Sequence, residues 1–167
     1  MIKCVVFDFD GTLVESNEIK RKVFYEVTKD IIGADLVLDN LLSDPDAGDR
    51  YSIFNALTEK VKKSNKFSPS AKHLSDKYTQ LCENNISKAS EIYGALNTLK
   101  KLKRSGVNMF ISSATPTRTL QRIITMRGWQ RFFEEIMGAP EKKEDHLNYI
   151  LYLTELLRQN VLNLFDF

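Results

Sequence analysis

Asp8 and Asp10 stand two positions apart at the end of the apolar run Ile2, Cys4, Val5, Val6 and Phe7, and Gly11 and Thr12 follow directly. Side chains at i and i+2 of an extended segment share a face. Two carboxylates would therefore meet beside a core, where like charges are costly unless something positive compensates them. A hard cation does that: Mg²⁺ takes carboxylate, carbonyl and water oxygens, so the pair reads as half of a magnesium site. Asp-Gly alone is ordinary turn chemistry. The apolar run, Asp-Phe-Asp-Gly-Thr and then Leu-Val-Glu-Ser together favour a site.

Two later stretches carry groups suited to an anion. Val107 to Ser112 reads as a strand, followed by Ser113, Ala114, Thr115 and Pro116 ahead of a helix over 117–128. Helix-start N–H groups point outward, and a serine hydroxyl can join them around a phosphate. Plain helix capping by Ser113 or Thr115 accounts for the same residues equally well. Lys142 and Lys143 follow the short run EIMG (135–138) and Ala139-Pro140-Glu141, before a helix from His146 to Arg158. A lysine there is a point charge for a transferring phosphoryl group, although lysine pairs at helix starts are ordinarily surface charge. His146 reads as a helix-surface residue.

The elements that must position these residues are legible in outline. The apolar run over 2–8, with its β-branched members, reads as a central strand buried on both faces. Its carboxyl end is where open α/β sheets hold their ligands. Between Glu15 and about Ser90 the pattern is helical throughout. Ile19, Val23, Phe24 and Val27 mark one helix ending near Gly33, and Leu36 to Leu42 a short one. Tyr51, Phe54, Leu57 and Val61 mark another, and Leu74, Tyr78, Leu81 and Cys82 a third long one. Arg50, after the loop SDPDAGD, either reaches a charged substrate group or serves as a solvated or capping residue. Leu96, Leu99 and Leu102 form an amphipathic helix stopped by Gly106, and VLNLF at 161–165 reads as a last strand.

VVFDFDGTLVES resembles the first motif of the haloacid dehalogenase-like hydrolases, whose phosphatase members carry Asp-x-Asp-Gly-Thr after the first strand. The resemblance implies Asp8 as the nucleophile that becomes an aspartyl-phosphate and Asp10 as the acid/base, with Thr12 holding the loop. FISSATP is similar to the family's second motif. It implies Ser113, with Ala114 beside it, as the phosphate-binding position, and Ser112 as the one-residue alternative. GAPEKKED is similar to the third, implying Lys142, with Lys143 next in line. The fourth motif, an acidic pair that completes the magnesium site, is represented by Asp166, twenty-four positions after Lys142. Phe165 stands where the family has glycine. The metal set so implied is Asp8, Asp10 and Asp166.

The 167 residues are 43% hydrophobic and 28% charged, with 24 basic and 22 acidic residues, the composition of a globular chain with a real core. With no basic cluster longer than a pair, nucleic-acid binding is not expected. Two lone thiols, Cys4 and Cys82, suggest a reducing compartment. No run approaches the length of a membrane helix and no charged leader precedes the first strand, so a cytoplasmic protein is expected. The expected fold is α/β, a Rossmann-like three-layer core of 1–16 and 89–167 with a mainly parallel sheet, interrupted by an all-helical cap over 17–88. The expected function is a Mg²⁺-dependent phosphoric monoester hydrolase acting on a small phosphorylated metabolite. The alternative is a weakly active or inactive member of the same fold that binds a ligand or partner.

Overall fold

The computed structural model of the chain describes residues 2–62 and 69–154, and the backbone alone at 161–164. The sheet there has four parallel strands in the order β3-β2-β1-β4: β1 (Cys4–Phe7), β2 (Asn108–Pro116), β3 (Glu135–Ala139) and β4 (Val161–Leu164). β1 lies between two neighbours, with Cys4 opposite Asn108 on one side and Val161 on the other. All four of its residues are buried, which is why its sequence is continuously apolar rather than alternating.

Among the described residues seven α-helices accompany the strands: α1 (Asn17–Thr28), α2 (Ala34–Leu41), α3 (Arg50–Val61), α4 (Ala71–Lys88), α5 (Ala95–Arg104), α6 (Thr117–Met126) and α7 (Lys143–Thr154). The chain divides into two compact units, Met1–Asn17 with Asn85–Phe167, and Glu18–Asn84. None of the described helices is long and apolar enough to cross a membrane.

In the sheet unit, Cys4 and Val6 share one face of β1 and pack with Phe110 and the fully buried Ile150 of α7, flanked by Met137 and Leu147. Burial in this cluster pushes the Cys4 thiol up to about 11, because a thiolate there would lose its hydration. Val5 and Phe7 face the other way, and Phe133 meets Phe7 edge-on at 6.3 Å. The two segments leading out of this unit are tied together: Glu15 N–H donates to Ser90 O at 3.0 Å, and Ile92 N–H to Leu13 O at 3.1 Å. Arg127 Nη1 donates to the carbonyls of Ile86, Ser87 and Ala89 at 3.0, 3.2 and 2.8 Å, and its guanidinium lies over Trp129. Those carbonyls lie at and just past the end of α4, where the last turn of a helix leaves carbonyls without intrahelical donors, although Ile86 O also accepts from Ala89 N–H at 3.2 Å.

Among the described residues the second unit holds helices and their connections, with no strand. Phe24, Phe54 and Tyr78, from α1, α3 and α4, form its centre with ring centroids 4.5–5.9 Å apart. α1 stops at Thr28 rather than near Gly33. Thr28 Oγ1 donates back to Phe24 O, and Gly33, at φ +79°, is the residue that opens α2. Asp49 caps α3 by accepting from the N–H and hydroxyl of Ser52, both at 3.0 Å. The Ser52 N–H holds its carboxyl below the usual range. Arg50 is the first residue of that helix, its guanidinium 4.9 Å from the Tyr51 ring.

Candidate active site

β1 ends at Phe7 and delivers Asp8 to the carboxyl edge of the sheet. Asp8 Oδ1 accepts from the N–H of Phe9 at 2.7 Å, fixing the carboxylate against its own backbone. The chain then folds tightly: Leu13 N–H and Val14 N–H both reach Phe9 O, and Gly11 N–H reaches Val14 O at 2.9 Å. Gly11 adopts φ +73°, a conformation that glycine enters without steric cost. Thr12 is half-buried within this turn.

The turn presents Asp10 to three hydroxyls. Ser16 Oγ donates to Oδ1 at 2.6 Å, Thr115 Oγ1 to Oδ2 at 2.8 Å, and Ser113 Oγ to Oδ2 at 3.4 Å. Ser113 Oγ also accepts from Thr115 N–H at 3.1 Å. Ser113 and Thr115 reach the same carboxylate because β2 continues as strand to Pro116, so positions i and i+2 point together. Ala114, between them, is exposed on the opposite side. The strand expected to end at Ser112 is thereby corrected: β2 runs on to Pro116, and α6 begins at Thr117, where the helix was expected. Ser112, the alternative to Ser113, faces away from Asp10 and is buried with its Oγ 2.8 Å from His146 Nδ1.

The lysine that meets Asp8 is Lys143, with Nζ 2.6 Å from Asp8 Oδ2. The sequence reading puts Lys142 first and Lys143 next, and the structure sets Lys143, not Lys142, against Asp8. Lys142 immediately precedes α7: its N–H donates to Asp145 Oδ2 at 3.1 Å, its carbonyl accepts from His146 N–H at 3.1 Å, and its side chain is exposed. Neighbouring residues at a helix start differ by about 100° around the axis, so one position decides which lysine faces the sheet. His146, expected on the surface, is 4% exposed, because the fourth residue of α7 turns inward against β2.

Sequence reasoning missed Ser16, Thr115 and the burial of His146. The i, i+2 relation of Ser113 to Thr115 was the available signal for Thr115, and ending the strand at Ser112 hid it. Nothing in local pattern linked Ser16 to Asp10, since the link exists only through the folded turn. Asp8 and Asp10 are hard oxygen donors of the kind Mg²⁺ takes. Among the described residues no group of three His, Cys, Asp or Glu side chains converges on a metal position. Asp166, the third expected ligand, lies outside the described residues.

The family model described as haloacid dehalogenase-like hydrolase matches residues 5–163. A phosphoglycolate phosphatase of Psychrobacter arcticus is 28% identical over 164 residues, covering 93% of this chain and 70% of its own. A phosphoglycolate phosphatase of Vibrio cholerae is 26% identical over 186 residues, covering 99% of this chain and 76% of its own. Among solved structures, YfnB of Bacillus subtilis, bound to magnesium, superposes with a TM-score of 0.69 at 16% identity, covering 97% of this chain and 77% of that one. The match along nearly the whole chain, the parallel sheet and the Asp8–Asp10 turn at its carboxyl edge agree, and the chain belongs to the haloacid dehalogenase-like hydrolase family.

Proposed function

We propose that this chain is a Mg²⁺-dependent phosphoric monoester hydrolase that acts on a small phosphorylated metabolite through an aspartyl-phosphate on Asp8. The observation that carries the reading is the Asp8–Lys143 pair at 2.6 Å beside an Asp10 held by hydroxyl donors. Asp8 attacks phosphorus. Lys143 offsets the repulsion between that carboxylate and the incoming phosphate, and it neutralises charge on the phosphoryl oxygens as transfer proceeds. Asp10 protonates the departing oxygen and then takes a proton from the water that hydrolyses the acyl phosphate. Ser16 and Thr115 keep Asp10 in one orientation for both steps, and Ser113, Thr12 and the backbone at Ala114 line the phosphate position. Asp8, the Asp10 carbonyl and Asp166 would hold Mg²⁺, which supplies a Lewis acid for the phosphoryl oxygens. The helical unit acts as the cap that selects the substrate. The named activity of the two curated relatives makes 2-phosphoglycolate the first natural substrate to test.

The test is hydrolysis of an aryl phosphate and of 2-phosphoglycolate with and without Mg²⁺, comparing the chain with Asp8→Asn. Mg²⁺-dependent turnover that falls about 1,000-fold or more in Asp8→Asn is the expected result. A folded chain without turnover would overturn it in favour of a member that binds a ligand or partner without catalysis.

A further inference from the structure

Ser112 and His146 form a buried pair that none of the chemical steps above uses. Ser112 is fully buried and His146 is 4% exposed, with Ser112 Oγ 2.8 Å from Nδ1. The other ring nitrogen, Nε2, is buried with no hydrogen-bond partner among the described residues. An unsatisfied buried polar atom is unfavourable. Leucine or isoleucine would avoid that penalty here, as Leu147 and Ile150 do on the same helix. The ring is therefore accounted for by its Nδ1 bond.

That bond has a particular place. Ser112 adjoins Ser113 on β2, and His146 lies three residues after Lys143, with its N–H on Lys142 O in the first turn of α7. Apolar packing of the fully buried Ile150 and of Leu147 sets which face of α7 points inward, and the directional hydrogen bond of His146 sharpens that setting in the helix's first turn. We propose that His146 is a positioning residue: its bond to Ser112 fixes the rotation of α7 against β2 so that Lys143, and not Lys142, faces Asp8. The proposal rests on the reading of Lys143 as the phosphoryl-facing lysine.

The experiment uses the full chain and the variants His146→Phe, His146→Asn, Ser112→Ala and Lys143→Met. Amine acylation followed by mass spectrometry compares Lys143 with its neighbour Lys142, and Lys103, paired with Glu134 at 3.1 Å, serves as a distant control. In the native chain Lys143 should label several-fold more slowly than Lys142. His146→Phe and Ser112→Ala should bring the two rates together while Lys103 is unchanged. His146→Asn, whose amide stands close to the Nδ1 position, should keep the difference. In the phosphatase assay His146→Phe should lower kcat about 10- to 100-fold and have no further effect on top of Lys143→Met. Equal labelling of Lys142 and Lys143 in the native chain, an unchanged ratio in His146→Phe, or a rise at every lysine together would each overturn the proposal. If Lys143→Met leaves turnover intact, the catalytic reading of Lys143 falls, and the labelling ratio still decides whether His146 orients the helix.

Discussion

Asp10 is held more firmly than any other acidic side chain described at the sheet edge, with Ser16, Thr115 and Ser113 donating to its two oxygens. Donors of this kind select one rotamer and leave the carboxylate little freedom to swing away from a leaving group. Removing one of them should therefore affect chemistry more than folding. Thr115→Val keeps the shape and loses the donor; we expect kcat about tenfold lower, with KM little changed and stability within about 1 kcal/mol of the native chain. Steady-state kinetics beside urea unfolding checks both halves. The hydroxyls also mark the limit of reading residues by type. Asp8 and Asp10 were legible because two acids after a buried strand are costly without a function. Ser16 and Thr115 are common polar residues whose significance comes from what the fold sets against them.

At the scale of elements, the carboxyl ends of β2 and β3 meet where the chain leaves β2 for α6. Thr117 Oγ1 donates to Gly138 O and accepts from Gly138 N–H, each at 2.9 Å. A Cβ on Gly138 would lie 2.1 Å from Thr115 O and 2.8 Å from Thr117 N. Both are backbone atoms that cannot step aside. Gly138→Ala should cost about 3 kcal/mol or more, read as a lower urea midpoint. Because the displaced segment carries Thr115, turnover should fall as well. EIMG was recognisable as a strand, yet the need for glycine at its end was not, since close approach between segments 21 residues apart leaves no local pattern. The same holds for the length of β2. Its sequence suggested a strand ending at Ser112, but pairing with β3, resumed at Pro116 opposite Ala139 after a register shift, keeps the segment extended to Pro116.

For the whole molecule, the buried cluster of Cys4, Val6, Phe110 and Ile150 makes stability sensitive to alkaline pH. The Cys4 thiol is raised from 9.0 to about 11 in the folded chain. Below pH 9 both folded and unfolded chains keep the proton. Between about 9 and 11 the unfolded chain releases it and the folded chain does not, so stability falls as pH rises through that window. The native chain should lose about 2 kcal/mol more than Cys4→Ala across it, measured by urea unfolding at fixed ionic strength. A curve for Cys4→Ala parallel to that of the native chain would show that the thiol does not report on the core.

The first sixteen residues by themselves determined a buried strand ending in two acids, and the later periodicities determined a parallel α/β unit interrupted by helices, because burial and regular hydrogen bonding imprint local patterns. The facing of Lys143 rather than Lys142 toward Asp8, the joint approach of Ser113 and Thr115 to Asp10, and the inward turn of His146 were decided only by tertiary structure. Each depends on the rotation of a helix by a single residue or the extension of a strand past Ser112. That rotation is set by contacts between segments far apart in the chain, such as Ser112 with His146 and Asp8 with Lys143, which no local run of residues records.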